Sequence, residues 1–186
     1  MIILVDVGGV LINYEHQRSI NAAKQQGLTG EINEALFGRG YKDFSTGASQ
    51  QHYLAYANTC LDQEIPLNKL KELHDAMFTT TNNELVTWLK QFPKENVVLV
   101  TNTNEWQTAA ERERLPALAT REYRSHQQQA TKIDFFTRML AELPQTTYVF
   151  IDDEEKNIQK AKELGILTHQ YTDMNSLQTF FKTQIQ

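Results

Sequence analysis

An open, doubly wound α/β sheet of the Rossmann-like kind, with a helical unit inserted into it, is the fold predicted for this chain of 186 residues. Three features predict it. Short runs of consecutive apolar residues occur at 2–7 (IILVDV), 96–101 (NVVLVT) and 147–152 (TYVFID), as expected of parallel strands covered on both faces. From residue 83 onward such runs alternate with helical patterns, the rhythm of strand–helix–strand units. Between the first and second runs, by contrast, residues 14–82 offer only helical patterns.

Taken in chain order, the first run leads into VDVGGVL, where Asp6 is followed by Gly8 and Gly9. The inserted segment begins with Gly27, Gly30, Gly38, Gly40 and Gly47 as punctuation. Its later part carries two apolar stripes. SQQHYLAYANTCL aligns Tyr53, Tyr56 or Ala57, and Cys60 or Leu61, and LNKLKELHDAMF aligns Leu67, Leu70, Leu73 or His74, and Met77. Both stripes are expected to be core, with hinges near 12–15 and 79–83. The domain boundaries are therefore 1–13 with 83–186 for the α/β unit and 14–82 for the helical one.

The α/β half continues with NNELVTWLKQF, whose Leu85, Trp88, Leu89 and Phe92 share one helical face before Pro93 ends it. In TKIDFFTRMLAELP, Phe135, Phe136, Met139, Leu140 and Leu143 repeat the arrangement, with Thr131 and Asp134 as a capping-box-like start. EEKNIQKAKELG buries Ile158, Ala161 and Leu164 and ends in Gly165, placed as a left-handed cap. Weaker strands are expected at 120–125 and 166–171. The region 105–125, with its ERER run and Pro116, reads as a solvated helix.

Composition narrows the function. A net charge of −5 without any basic cluster argues against nucleic acid and anionic membrane as partners. Cys60 is the one cysteine, so an internal disulfide is impossible, and its expected place is a buried helical position. No window reaches the ~18 apolar residues of a membrane span, and Asp6 breaks the opening run, which therefore does not read as a signal peptide. A cytoplasmic protein acting on a small molecule is the expectation, with no protein partner identifiable.

In open α/β sheets ligands gather beyond the carboxyl ends of the strands. Those ends carry Asp6, Thr101 with Asn102, and Asp152 with Asp153, while Lys132 stands at the start of a helix. Two adjacent carboxylates repel each other. A divalent cation resolves that repulsion, and Mg²⁺ favours a few carboxylates plus water and substrate oxygens.

Aspartate, hydroxyl, lysine and acidic pair, in that order, resemble the four motifs of the haloacid dehalogenase (HAD) superfamily: VDVGGVL, VLVTNTN, the lysine of QQATKID, and FIDDEEKN. The resemblance spans residues 2 to about 170, with the helical insertion as the family's cap. VDVGGVLI is similar to the branch with Gly at the position of the second aspartate, which includes α-glucose-1-phosphate phosphatases, and FSTGAS at 44–49 resembles that branch's cap turn. The third motif differs from the family in having Ile133 after its lysine and SHQQQAT before it.

The resemblance implies Mg²⁺-dependent hydrolysis of a small organic phosphate monoester, such as a sugar phosphate, through an aspartyl-phosphate on Asp6. Mg²⁺ would be held by Asp6, the carbonyl of Gly8, Asp152 and Asp153. Thr101 and the amide of Asn102 would bind phosphate, and Lys132 would neutralise charge on phosphate and nucleophile. In most of the family the second aspartate acts as acid and base, so Gly8 predicts slow dephosphorylation, seen as a burst followed by a lower rate. Glu15 or His16, near the hinge, could supply the proton. The alternative is a degenerate domain that binds phosphate or a protein with little or no turnover. A metal-free dehalogenase has no use for the acidic pair, and a receiver domain carries its motifs in another order.

Overall fold

A computed structural model describes residues 1–185. The chain begins with β1 (Ile2–Val5), followed by a tight turn into β2 (Ile12–Tyr14). Five helices come next: α1 (His16–Gln25), α2 (Ile32–Phe37), α3 (Arg39–Ser45), α4 (Gln50–Cys60) and α5 (Leu67–Asp75). β3 (Phe78–Thr81) returns the chain and pairs antiparallel with β2. The expectation of helices alone between the first two sheet strands is thus corrected. The two ends of the insertion zip together as a small ladder, closing the helical unit at its neck.

The second half runs α6 (Asn83–Leu89), β4 (Val97–Thr101), α7 (Glu105–Arg114), β5 (Arg121–Arg124), α8 (Ser125–Gln128) and α9 (Lys132–Glu142). It closes with β6 (Tyr148–Asp152), α10 (Glu155–Glu163), β7 (Leu167–Gln170) and α11 (Met174–Gln184). Five strands form one parallel sheet in the order β5-β4-β1-β6-β7. β1 lies between strands wound in opposite directions, so its carboxyl end opens into the crevice where such folds hold ligands.

Alternation along the strands divides the core. Ile3, Val5, Val97, Leu99, Val149 and Ile151 face α6 and α11, whereas Leu4, Val98, Val100 and Phe150 face α9 and α10. Both faces are apolar, which is why these strands read as continuous runs. The helical unit has its own cluster around Leu36, Phe44, Tyr53, Ala57, Leu70 and Leu73, joined by Trp106 from α7.

Several local expectations change. In the α4 stripe Ala57 and Leu61 are buried, while Cys60 is only partly so because it ends the helix. Leu73 and His74 are both buried. Trp88 and Phe92 are half-buried and pack edge-on against each other and, for Trp88, against Phe181. Gly165 does take positive φ, 75°. No described helix is long and apolar enough to cross a membrane.

Candidate active site

The turn after β1 delivers the first carboxylate. Asp6 N–H donates to the Ile151 carbonyl at 2.9 Å, continuing the ladder one residue past the strand. Its Oδ1 accepts from the Val7 amide at 2.7 Å, and its Oδ2 lies 2.6 Å from Nζ of Lys132. Lys132 is the first residue of α9 and is 1% exposed. Its ammonium is shared, since Oδ2 of Asp152 is also at 2.6 Å.

The start of α9 is capped differently from the expectation. Thr131 Oγ1 donates to the Asp134 carboxylate and makes no bond to the backbone. Instead the Lys132 amide donates to Oδ1 of Asn102 at 2.7 Å. Asn102, just beyond β4, therefore fixes where the lysine emerges. Thr101, the last residue of β4, is buried and lines the same cavity.

Asp152 is fully buried at the end of β6. Its Oδ1 accepts from the Glu154 amide and from Nδ2 of Asn157, both at 2.9 Å. Asn157, on the first turn of α10, was missed in the sequence. Its one signal is a polar residue at a position facing back toward the strand end. Asp153 approaches the β1 turn so closely that a Cβ on Gly9 would sit 2.1 Å from its Oδ2, and Gly9 also has φ 74°. Only glycine fits there.

Asp6, Asp152 and Asp153 each offer an oxygen within 4.8 Å of one another. Burial, opposed by Lys132 and reinforced by Asp152 and Asp153, pushes the Asp6 carboxyl up to about 8. Burial and the neighbouring Asp152 likewise push Asp153 up. Burial works against the Lys132 ammonium, yet Asp6 and Asp152 hold its pKa above the ordinary lysine value. One ammonium cannot balance three ionised carboxylates. The donor set is thus suited to a hard divalent cation, which is the remedy such oxygen clusters invite.

A cavity of about 810 Å³ lies above these groups. Its opposite wall is aromatic, formed by Tyr14, His16, Phe37 and Tyr41 from β2 and the inserted helices. His16 stacks on Phe37 with ring centroids 4.0 Å apart. Burial and the nearby His74 lower its pKa, which favours neutral imidazole. Glu15 is exposed and is not part of the cavity wall. The two hinge candidates are separated by this placement.

The ERER run of α7 is not a solvated face throughout. Glu111 and Arg124 are each 1% exposed and form an ion pair beneath the cavity. Glu111 Oε1 also accepts from the Tyr14 hydroxyl at 2.6 Å and from Thr103 Oγ1 at 3.2 Å. Burial, with the Glu111 carboxylate beside it, raises the Tyr14 pKa well above its ordinary value.

No protein-family model matches the chain, and no curated protein matches it. Solved structures do. A predicted HAD-like family hydrolase from Porphyromonas gingivalis superposes with a TM-score of 0.82 at 21% identity, covering 99% of this chain and 97% of that one. A HAD family enzyme from Bacteroides thetaiotaomicron, in complex with magnesium and inorganic phosphate, gives 0.76 at 21% identity over 94% and 97%. L-2-haloacid dehalogenase from Xanthobacter autotrophicus gives 0.63 at 13% identity over 99% and 84%. At these identities the likeness is one of fold, and the fold is that of HAD-like hydrolases.

Proposed function

We propose that the protein is a Mg²⁺-dependent phosphatase that hydrolyses a small organic phosphate monoester through an aspartyl-phosphate on Asp6. The carrying observation is the shared ammonium of Lys132, 2.6 Å from both Asp6 and Asp152, buried directly behind the Asp6 that lines an open cavity. This geometry holds the nucleophile beside a fixed positive charge. A bound Mg²⁺, held by Asp6, the Gly8 carbonyl, Asp152 and Asp153, would supply Lewis-acid stabilisation of the phosphate charge.

The chain's own residues do the rest. Asp6 Oδ1 is oriented by the Val7 amide while Oδ2 is held by Lys132. Thr101 and the amide of Asn102, at the end of the neighbouring strand, would bind phosphate oxygens, and Lys132 would balance charge as phosphorus is attacked. The HAD-like fold of a Bacteroides enzyme crystallised with magnesium and phosphate supports the same chemistry. The similarity of VDVGGVLI to the glycine-bearing branch points to sugar phosphates or related metabolites as substrates.

Gly8 favours a second reading, a domain that binds phosphate or a protein with little turnover. One pair of measurements separates the two. Hydrolysis of p-nitrophenyl phosphate with Mg²⁺, lost in Asp6→Asn and on EDTA addition, together with trapping of Asp6 by beryllofluoride, is the expected result. Turnover that survives either Asp6→Asn or EDTA would sink the phosphatase mechanism.

A further inference from the structure

Three rings on the helical wall of the cavity form an unfinished stack. His16, the first residue of α1, lies almost parallel to Phe37, with centroids 4.0 Å apart and planes inclined by 15°. Tyr41 meets both from the side, 6.4 Å from His16 and 5.5 Å from Phe37. Phe37 is half-buried and backed by the apolar cluster of the helical unit, so the inner end of the stack is fixed. The outer end is His16, which is exposed and lines the cavity. Among the described residues no other ring packs on it. One face of the imidazole is therefore covered by Phe37 and the other is open.

Beyond Tyr41 the wall turns polar. Ser45 ends α3 and lines the cavity, and its Oγ is buried and closes no hydrogen bond. Gln107, on α7, accepts the Asn104 amide on Oε1 at 3.1 Å, which leaves its Nε2 free to donate. Both stand beside the Tyr41 hydroxyl. A buried hydroxyl without a partner is costly, and an acceptor atom on a ligand would satisfy it.

The charges around the rings do not suit a cationic ligand. Asp43 is engaged by Arg39 and His52, Glu154 by Lys156 and Asn157, and Asp153 belongs to the carboxylate cluster. Lys42 brings a positive charge to the same wall. A cation would thus meet aromatic faces with no free carboxylate beside them and a lysine against it. A flat neutral ring meets neither obstacle. It covers the whole imidazole face, where a puckered ring touches it with a few hydrogens. The cavity volume of about 810 Å³ lies in the range of small-molecule sites and leaves room for such a group beside a phosphate.

We infer that the open face of His16 is a stacking platform, and that the site takes phosphate monoesters whose organic part carries a planar heteroaromatic ring with an acceptor atom for Ser45 and Gln107. This rests on the phosphatase reading above and sets a ring-bearing phosphate ahead of a bare sugar phosphate. His16 acts here as a specificity-determining residue through its shape. Its neutral form, favoured by burial and the nearby His74, gives a flat face without a fixed charge.

The test separates ring recognition from hydrolysis by using phosphonates, which are not cleaved. Benzylphosphonate, cyclohexylmethylphosphonate and pyridylmethylphosphonate are titrated calorimetrically into the protein with Mg²⁺. Benzylphosphonate should bind about fivefold more tightly than the cyclohexylmethyl compound, although the latter is the more apolar. The pyridylmethyl compound should gain a further factor of about three. His16→Leu should bring the benzyl and cyclohexylmethyl affinities together, and His16→Phe should keep them apart. Ser45→Ala should remove the gain of the pyridine and leave the benzyl preference. His16 is exposed, so its substitutions leave the core untouched.

Equal or tighter binding of the cyclohexylmethyl compound, binding of none of the three, or a benzyl preference that persists in His16→Leu overturns the platform. A higher kcat/KM for choline phosphate or a hexose phosphate than for pyridylmethyl phosphate overturns it as well. A planar preference in binding without turnover of any phosphate supports the platform and removes the phosphatase reading. Turnover without that preference does the reverse.

Discussion

The two walls of the cavity are built in opposite ways. On the sheet side the groups of the carboxylate cluster stand at the end of a strand or the first residue of a helix: Asp6 after β1, Asp152 and Asp153 at β6, Lys132 opening α9. Backbone register places them, and short bonds to neighbouring amides hold them. On the helical side the wall is mainly rings, placed by packing against a cluster of Leu, Phe and Tyr side chains, with the polar end of α3, Lys42 to Thr46, beside them. The carboxylate cluster and its lysine are therefore positioned by the sheet half, and the rings by the half joined through a two-stranded neck. The expected division of labour is chemistry on the sheet and recognition on the helices.

The largest test of that division is Lys132→Met. It leaves Asp6 and Asp152 facing each other without their shared ammonium. Removing one partner of a buried ionic cluster costs about 3–5 kcal/mol, and losing a fixed charge at the phosphate costs about 10²–10³ in rate. A lowered Tm that Mg²⁺ largely restores, with activity still lost, is expected from melting curves and assays with and without the cation. Unchanged stability would mean that the sheet side does not depend on this ion cluster.

Phe37→Ala probes the other wall. Phe37 is the ring on which His16 stacks and against which Tyr41 packs edge-on at 5.5 Å. Deleting it removes apolar contact from the space above the phosphate site. Losing one such contact is worth on the order of 1–2 kcal/mol, so KM should rise about tenfold while kcat changes little. Competitive inhibition by inorganic phosphate should not weaken. If it weakened in step with KM, the helical wall would be shaping the phosphate site itself, and the contrast between the walls would fail.

The same contrast governs what could be read from the sequence. Strands β1, β4 and β6 were legible because their apolar runs are local, and the placement of Asp6, Thr101 and Asp152 at run ends followed from them, as that of Lys132 followed from the helical pattern of α9. The neck was not legible. Three residues of β2 pair with four of β3 across the whole insertion, and neither run carries a pattern of its own. Glu111 was misread because its partners come from afar, Arg124 thirteen residues and Tyr14 ninety-seven residues away in the chain. A glutamate in an ERER run gives no sign of burial until the tertiary fold brings those partners in. The cap of α9 failed for a related reason: Asn102, thirty residues upstream, accepts the Lys132 amide, and the Asp134 amide that Thr131 Oγ1 was expected to bind goes to the Thr131 carbonyl.

The smallest effect is expected at the seam between the two halves. His74, at the end of α5, is fully buried and touches α7 of the sheet half. Asn104 caps α7 by accepting the Gln107 amide on Oδ1 at 2.9 Å, so its Nδ2 is the atom facing Nε2 of His74 at 3.2 Å. Nε2 must then accept, and Nδ1 carries the proton toward Asp75 at 3.1 Å. A protonated ring would set N–H against N–H. Burial lowers the His74 pKa, with the Lys71 charge acting in the same direction and Asp75 opposing.

A histidine whose folded pKa lies below its unfolded value, about 6.5, is neutral in the folded state where the unfolded chain takes a proton. Its contribution to stability is full above that value and is lost as pH falls below it. Asp75, whose pKa is lowered by His74 and Lys71 against the cost of burial, loses its contribution only at more acid pH. Between pH 7.5 and 5.5 the wild type should therefore lose Tm relative to His74→Gln. The comparison is of the two proteins at each pH, because Asp6, with its raised pKa, takes up a proton in the folded state over the same range and acts in the opposite direction, while His16, His126 and His169 are shifted in the same direction as His74. An equal change in wild type and His74→Gln would show that the seam does not sense this proton.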